Sequence, residues 1–337
     1  MLARHVGCDI YIAGKNVTED LSRFLKSVSY ESVYDGETDT CEIELQDADE
    51  LFIGDWFPKR GDKIHLELWR ENWNGDGQLN HLDLGDFEID EITNSYPPSV
   101  CKIKGNSCPS NSELRQVDES KSWENVKLSQ IAQDIANAAG IELFFDATED
   151  PDIKRAEQAE MSRMSFLRKL CKDHGLALKF FDWLLIIFDE EKYEQQQPVS
   201  TLTRGTSAIK QFSGRATLTE IYKACEVTYK DGKADELYSG RFDAPDKTDG
   251  KVLKINQRVS DKGAAEKLAK KKLRDKNKKE ITVNITVPGR FDYMAGSVVE
   301  LKGYGFYSGR YLIERATHKV GTGYEVSLEL RKCLNGY

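Results

Sequence analysis

The sequence has none of the short motifs that identify the commonest enzyme classes. Its 337 residues contain no GxSxG, no HExxH and no GxxxxGK[ST], so the usual serine hydrolases, zinc peptidases and P-loop nucleotide hydrolases lack their first required residues. Gly303-Tyr-Gly305 approaches a dinucleotide-binding loop, but the third glycine is missing and a strand pattern follows. The sequence therefore favours a protein that is not an enzyme.

Histidine is scarce, and the cysteines show no pairing pattern. The five histidines are scattered, which favours ordinary buried or surface positions over metal ligands or catalytic bases. They are His5, His65, His81, His174 and His318. The seven cysteines are odd in number and have no CxxC spacing, so we expect reduced and mostly buried thiols.

Long apolar runs are missing as well. The longest, such as residues 183–188, are far shorter than the roughly 20 residues of a membrane span. Charged residues stand too near the N-terminus for a secretory leader, so we expect synthesis and assembly in the bacterial cytoplasm. The net charge of -9 argues against nucleic acid or an anionic membrane as the main partner.

Alternating apolar and polar residues predict strands at both ends of the chain. In residues 1–108 the predicted strands are 10–12, 41–45, 63–69, 87–92 and 100–104. In residues 201–337 they are 225–229, 281–287, 297–301, 311–314 and 324–330. Each of these two regions is predicted to be a small antiparallel β-barrel domain.

Residues 109–200 have a helical period and predict an α/β domain inserted between the barrels. A helix is expected from near Asn125 to Gly140, and a second helix from a cap at Ser162. The polar stretch 191–200 resembles a linker. The predicted fold class is therefore β-rich α+β, with two similar antiparallel β-barrels and one insert.

A lysine-rich helix is predicted inside the last domain, at about 261–279. Four of its basic residues are candidates for contact with an acidic partner, such as a neighbouring subunit. They are Lys267, Lys270, Lys271 and Arg274. The alternative is an ordinary solvated helix face. No aromatic residues interleave with the lysines, which disfavours nucleic acid.

The two predicted barrels repeat one ordered series of strands. Residues 41–45 correspond to 283–287, 57–68 to 292–302, 85–93 to 309–317, and 100–104 to 325–329. In both barrels a glycine, Gly61 or Gly296, precedes the second strand of the series. An ordered series of this kind indicates a structural duplication. With two like modules per chain, a cyclic trimer would present a ring of six.

Two weaker patterns of oxygen ligands are also present. Residues 72–83 approach a calcium-binding loop, although its last ligand is Asp instead of Glu and its flanks are strands, which favours a solvated hairpin loop. The ligand candidates are Asn72, Asn74, Asp76 and Asp83. Glu88 and Asp90 share one face of a predicted strand, as a glycosidase pair would, but a solvated outer face is the better explanation.

Several blocks of sequence resemble one family of tail proteins. KSWENVKLSQIAQDIA at 121–136, the glycine-led strand at 140–143 and the helix at 164–176 have the order and spacing of the phage late control gene D family. The C-terminal blocks 288–289, 309–314 and 324–330 are similar to that family as well. The resemblance covers most of the chain but contains no invariant chemical signature.

The resemblance implies the baseplate hub of contractile tails and tailocins, a virion structural protein whose two barrels are tail-tube-like. Such a hub is a homotrimer that joins the hexameric tail tube to a trimeric spike and contacts other baseplate proteins, without a cofactor or a membrane. The VgrG proteins of type VI secretion are similar in their barrels but carry a fused spike. Because this chain ends soon after its second barrel, the resemblance implies a separate spike protein.

Two other functions remain open at this point. A tail-tip hub of a non-contractile tail would share the barrel architecture. A tail-associated peptidoglycan hydrolase would need carboxylates from the middle region. The candidates for that role are Asp146, Glu149, Asp150 and Asp152.

Overall fold

The computed structural model describes residues 2–108, 118–231 and 236–337, and strands dominate it. The first ten strands are β1 His5–Ile12, β2 Lys15–Asn16, β3 Leu25–Val33, β4 Thr40–Gln46, β5 Lys63–Glu71, β6 Leu79–Ser95, β7 Val100–Asn106, β8 Asp118–Lys127, β9 Glu142–Asp146 and β10 Asp152–Ser162. The others are β11 Leu176–Phe181, β12 Leu184–Asp189, β13 Ser200–Thr203, β14 Gln211–Ala216, β15 Tyr222–Asp231, β16 Glu236–Asp243, β17 Lys251–Asn256, β18 Ile281–Pro288, β19 Val298–Lys302, β20 Gly309–Val320 and β21 Tyr324–Lys332.

Helices are fewer and shorter. They are α1 Thr18–Ser22, α2 Leu128–Ala139, α3 Arg163–Asp173, α4 Glu190–Glu194 and α5 Lys262–Asn277. In the part of the chain that the structure describes, none of them is long and apolar enough to cross a membrane. The predicted β-rich α+β class, with large antiparallel sheets, is therefore confirmed.

One 13-stranded sheet contains strands from both ends of the chain. Its main path runs β14-β18-β21-β20-β3-β4-β7-β6-β5-β1-β2, with β19 beside β20 and β13 beside β19. The alternating residues of these strands point into one continuous hydrophobic core, which joins Ile43 and Leu66 to Leu328. The two predicted barrels therefore share a sheet and a core.

Three smaller sheets lie outside the large one. Strands β8 and β10 form a ribbon, and β9 lies parallel to β12 in the sheet β11-β12-β9. Helices α2 and α3 share a separate hydrophobic core with these strands, as the helical spacing of their apolar residues predicts. Ser162 caps α3 by accepting a hydrogen bond from the amide of Ser165 at 3.3 Å, so the predicted cap is confirmed.

Helix α5 packs on the third small sheet, β16-β15-β17. Ala265, Ala269 and Leu273 recur every fourth residue and are fully buried, which gives the helix a narrow apolar stripe. Asp261 caps its first turn by accepting a hydrogen bond from the amide of Ala264 at 2.8 Å. The helix thus begins and ends within two residues of its predicted limits.

Three local predictions were wrong. Helix α2 begins at Leu128, because residues up to Lys127 pair in β8 with β10. The predicted polar linker begins within helix α4, in which Glu190 and Glu194 are buried against two arginines and a lysine. Residues 225–229 form a strand as predicted, within β15, but β15 pairs with β16 and β17 and does not join the other strands of the predicted second barrel. The predicted boundary at 108/109 adjoins residues 109–117, which lie outside the described residues.

Candidate functional site

The two ends of the chain repeat one strand order within the large sheet. The first copy, defined as β1 and β3–β7, runs β3-β4-β7-β6-β5-β1. The second copy, defined as β13, β14 and β18–β21, runs β14-β18-β21-β20-β19-β13. The copies differ in their last pairing, since β1 is antiparallel to β5 whereas β13 is parallel to β19.

The copies also match hydrogen bond for hydrogen bond at the turn before their second strand. The Gly61 amide donates to the Ile89 carbonyl at 2.9 Å, and the Gly296 amide donates to the Ile313 carbonyl at 2.9 Å. Both glycines have positive φ, 87° and 94°, a conformation in which a side chain would be strained. The glycines that the sequence pairs therefore fill one backbone position in both copies.

A β-bulge follows at the same place in each copy. The register of β6 on β7 shifts between Ile89 and Glu91, and that of β20 on β21 shifts between Ile313 and Arg315. Bulges re-aim a strand and are specific features of a fold. The match shows that the duplication extends to an irregularity, which alternating strands alone would not produce.

The copies are joined by one antiparallel strand pair, which we call the internal junction. It consists of residues 28–33 of β3 and residues 315–320 of β20, with Tyr30 opposite His318 and Val28 opposite Val320. These four side chains are buried, between 1% and 8% exposed. On the opposite, wetter face Arg315 forms an ion pair with Glu31. The junction is therefore apolar on one face and charged on the other.

His318 is held in one protonation state at the internal junction. Its Nδ1 lies 2.7 Å from the Tyr324 hydroxyl, and its Nε2 lies 2.8 Å from the Tyr293 carbonyl. Burial lowers the pKa of His318 to about 4, although the hydrogen bond to Tyr293 opposes that shift. At neutral pH the ring is uncharged, so Nε2 donates to the carbonyl and the tyrosine hydroxyl donates to Nδ1.

Among the described residues, each copy also has an edge without the neighbour found at the internal junction. Strand β14, the counterpart of β3, ends the path of the large sheet. In β6, the counterpart of β20, residues 91–95 pair only with β7 among the described residues. Tyr96 follows this edge and is 85% exposed, whereas Val320 at the same position of the second copy is buried.

The lysine-rich helix α5 meets the middle region through ion pairs. Lys267 lies 3.2 Å from Glu149 on the surface, and Lys270 lies 3.7 Å from Glu191. The Lys271 ammonium donates a hydrogen bond to the carbonyl of His174. Part of the predicted contact surface therefore already has partners within the chain.

Arg274, the fourth candidate, belongs to a buried cluster of charges. Its Nη2 lies 2.6 Å from the Glu194 carboxylate at an angle unsuited to a hydrogen bond, so their contact is chiefly electrostatic. Arg331, with a fully buried side chain, forms ion pairs with Glu194 and Glu190, and Lys278 lies 2.9 Å from Glu190. Burial would raise the pKa of Glu190, but Lys278 and Arg331 lower it overall. The cluster ties α4, α5 and β21 together.

Comparison with solved structures shows which proteins share this arrangement. A tail protein from Neisseria meningitidis MC58 superimposes with a TM-score of 0.73 at 15% identity, covering 97% of this chain and 96% of that one. The 43 kDa tail protein of prophage MuSo2 from Shewanella oneidensis gives a TM-score of 0.75 at 14% identity, covering 98% and 100%. The chain has the fold of these tail proteins.

The same fold occurs in a secretion system. An Escherichia coli component of the type VI secretion system superimposes with a TM-score of 0.54 at 11% identity, over 91% of this chain and 73% of that one. No protein-family model and no curated protein matches the sequence. The resemblance to the fold of tail proteins and of type VI secretion components is confirmed by structure, at identities that show the fold alone.

The calcium-loop candidates lie at a hairpin of the tail-protein fold and are engaged in other contacts. The Asn72 side-chain carbonyl accepts from the Gly77 amide at 2.7 Å, and the Asn74 side chain donates to Asn80 at 3.0 Å. In two further contacts, Asp76 accepts from the amide of Leu2, and Asp83 accepts from the amide of Gly85. The described residues contain no cluster of three or more acidic, histidine or cysteine side chains that could hold a metal ion.

The carboxylates considered for a hydrolase have separate structural partners. Asp150 accepts from the Ser129 hydroxyl at 2.6 Å at the start of α2, and Asp90, in the bulge of β6, accepts from Asn106 at 2.6 Å. The other pairs are Asp146 with Lys192, Glu149 with Lys267, and Asp152 with Lys127. Glu88 is the backbone register partner of Lys63 in β5 and β6. Asp90, Asp146, Glu149, Asp150 and Asp152 thus each have a hydrogen-bond or ion-pair partner elsewhere in the chain.

Two features that organise this site, the β3–β20 pairing and the buried charge cluster, were not predicted from the sequence. Alternation identified the strands of each copy but did not show that β3 and β20 would pair, because edge pairing leaves no periodic signal of its own. The buried cluster was missed because acidic residues in a polar segment normally lie on the surface. Arg331 gave no signal for it either, because it falls in the polar phase of the alternating strand β21.

Proposed function

We propose that the chain is the structural hub of the baseplate of a contractile phage tail or a tailocin. In this proposal three chains form a homotrimer with pseudo-six-fold symmetry, which joins the hexameric tail tube to a separate trimeric spike. The observation that carries it is the internal junction, where two register-matched copies meet head to tail in one sheet.

The contact at that junction is of a kind that can be repeated around an axis. The first copy contributes β3 and the second contributes β20, so different strands of equivalent units meet. A contact of this kind is heterologous, and repeating it around an axis builds a closed ring when the rotation allows. Three chains supply six copies, which is the number of subunits in a hexameric tube ring.

The domains have different roles in this proposal. Domains 1–108 and 201–337 form the ring that meets the tube, and the α/β domain 109–200 extends toward the spike and other baseplate proteins. The hub is made in the bacterial cytoplasm and becomes part of the tail. No membrane, cofactor or specific nucleic acid takes part, and DNA would only pass through the lumen if the particle is a phage.

We also propose that the lysine-rich helix contributes a contact with an acidic partner through its outer side chains. Lys267 is 68% exposed and Lys270 is 38% exposed, whereas Arg274 is only 7% exposed. Lys271 is held toward the middle region, and burial lowers the pKa of its ammonium group. Lys267 and Lys270 are therefore the two residues of this helix to test first.

Assembly in solution tests the hub proposal. The purified chain is mixed with the tube protein and the spike protein of its particle, and the complexes are imaged by electron microscopy. We expect a three-fold hub with the tube on one side and the spike on the other, in a particle that has a sheath. A particle without a sheath would assign the chain to a non-contractile tail tip. Peptidoglycan cleavage that is lost in Asp150→Asn would contradict a purely structural role.

A further inference from the structure

We propose that strand β14 of one chain pairs antiparallel with the free edge of β6 in the next chain, residues 91–96, and so repeats the internal junction between subunits. This inference rests on the proposed trimer and names the surface that would hold it together. An edge strand presents unpaired N–H and C=O groups that can pair with another chain. The partner is a second copy of this chain.

The register of the contact follows from the two copies. Within the first copy Tyr30 pairs with Cys41, and within the second Gly214 pairs with Val283, the residue that the duplication aligns with Cys41. Gly214 therefore occupies the position of Tyr30. The same correspondence aligns β6 residues 91–96 with β20 residues 315–320, because both bulges precede these segments.

Charge is complementary in this register, with the signs reversed. At the internal junction Arg315 on β20 forms an ion pair with Glu31 on β3. The corresponding residues at the free edges are Glu91 on β6 and Arg215 on β14, so the acid and the base have exchanged strands. Both are exposed. Arg315 and Glu31 are diagonal neighbours across the antiparallel pair, two residues apart in register. Opposite charges at such a diagonal attract whichever strand carries the base.

The reversal extends to the neighbouring strand. Arg315 lies opposite Glu329 on β21, 3.7 Å from its carboxylate. Glu91 lies opposite Lys104 on β7 in the matching register. Within each copy, the charged residue at the edge thus lies opposite a residue of the other sign, and β6 and β20 present opposite signs at their edges. This exchange favours pairing of β14 with β6 over pairing of β14 with β20 or of β3 with β6, in which like charges would meet.

Apolar surface is complementary on the opposite face of the same strands. In the transferred register Tyr96 lies opposite Phe212, as Val320 lies opposite Val28 at the internal junction. Phe212 stacks on Tyr304 at 4.5 Å and, with Tyr307, lines an open groove of about 650 Å³ beside β14. The exposed Tyr96 ring of the neighbouring chain would extend this aromatic group.

The loop between β4 and β5, beside the free edge of β6, is anchored to that edge as its counterpart between β18 and β19 is anchored to β20. In the second copy His318 bonds to the carbonyl of Tyr293, and β3 still pairs with β20. In the first copy Asn94, at the position of His318, donates to the carbonyl of Phe52 at 3.4 Å. The loop is held at the same point of the strand in both copies.

Charge reversal provides the first test, with the full chain. Arg215→Glu would face Glu91 of the next subunit, and we expect the dissociation constant of the trimer to rise at least about tenfold. The double variant Glu91→Arg with Arg215→Glu restores opposite charges across the edge, although its new arginine still lies opposite Lys104, and we expect a dissociation constant at least about threefold below that of Arg215→Glu. Glu91→Arg alone is a poorer probe because it also faces Lys104. Lys254→Glu, an exposed reversal on β17, is the matched control.

Cysteine cross-linking provides a second test that does not depend on affinity. Ser95 and Ser213 correspond to Lys319 and Ser29, which are register partners at the internal junction. Register partners lie about 4.5–5.5 Å apart between Cα atoms, within the range of a disulfide. We expect Ser95→Cys with Ser213→Cys to give covalent dimers and trimers on oxidation. Ser95→Cys with Arg215→Cys, two residues out of register, and the parent chain are the controls.

The outcomes separate the surface from the trimer. A trimer by molar mass that Arg215→Glu leaves intact, with no cross-linking above the controls, would overturn the strand pairing and leave the hub proposal standing. A chain that stays monomeric alone and with tube and spike proteins would overturn both. Cross-linking in register, together with rescue by the double charge reversal, supports the pairing.

Discussion

Replacing Arg331 with methionine is expected to lower the free energy of unfolding by about 3–5 kcal/mol, the usual loss when one partner of a buried ion pair is removed. The Arg331 side chain is 0% exposed, and its partners Glu194 and Glu190 are 3% and 8% exposed. Without the guanidinium, Glu194 keeps Arg274 and Glu190 keeps Lys278 as an ion-pair partner. Methionine fills much of the volume, so the loss is chiefly electrostatic.

Thermal and urea unfolding of the purified chain measure this loss. For a chain of this size a loss of 3–5 kcal/mol corresponds to a fall in Tm on the order of 5–10 °C. Lys332→Met, the next residue of β21, is the control, because its ammonium is outside the cluster and is expected to contribute less than about 0.5 kcal/mol. A change below about 1 kcal/mol in Arg331→Met would refute the claim that this cluster ties α4, α5 and β21 together.

Three further perturbations test the fold around the site. Because the folded pKa of His318 lies near 4, below its usual 6.5, its contribution is complete above pH 6.5 and is lost as the pH falls toward 4, by about 3 kcal/mol in total. His318→Asn, which copies Asn94 of the first copy, should flatten that dependence in urea unfolding followed from pH 7 to pH 4; an unchanged slope would contradict the assignment. Gly240→Ala should cost about 1–3 kcal/mol, since a Cβ there would lie 2.3 Å from the backbone of α5, whereas Gly323→Ala, with open space, should cost little. Ser162→Ala should cost about 1 kcal/mol by removing the cap of α3, and equal melting curves would argue against that cap.

The sequence predicted the repeated strands well because alternation and the glycines before a strand are local signals. Gly61 and Gly296 were paired from sequence, and the structure gives them the same hydrogen bond. Helix α5 was predicted because its buried residues recur every fourth position. These features are encoded within a few residues of each other.

The rest depends on contacts between distant residues, which periodicity does not encode. The pairing of Tyr30 with His318 joins residues 288 positions apart in the chain. The helix α4 replaced a predicted linker because Arg331 and Lys278, far away in sequence, neutralise its acidic residues. The helix start near Asn125 was wrong for a similar reason, since pairing with β10 extends β8 through Lys127. Tertiary contacts outweighed local preference in both places.

The molar mass of the full chain in solution tests the central claim most directly. Light scattering on the purified protein should give a molar mass of about 115 kDa, three times the 38.3 kDa of one chain. With the tube and spike proteins present, the complex should contain three copies of the chain. A chain that remains at 38.3 kDa under all of these conditions would contradict the trimeric hub.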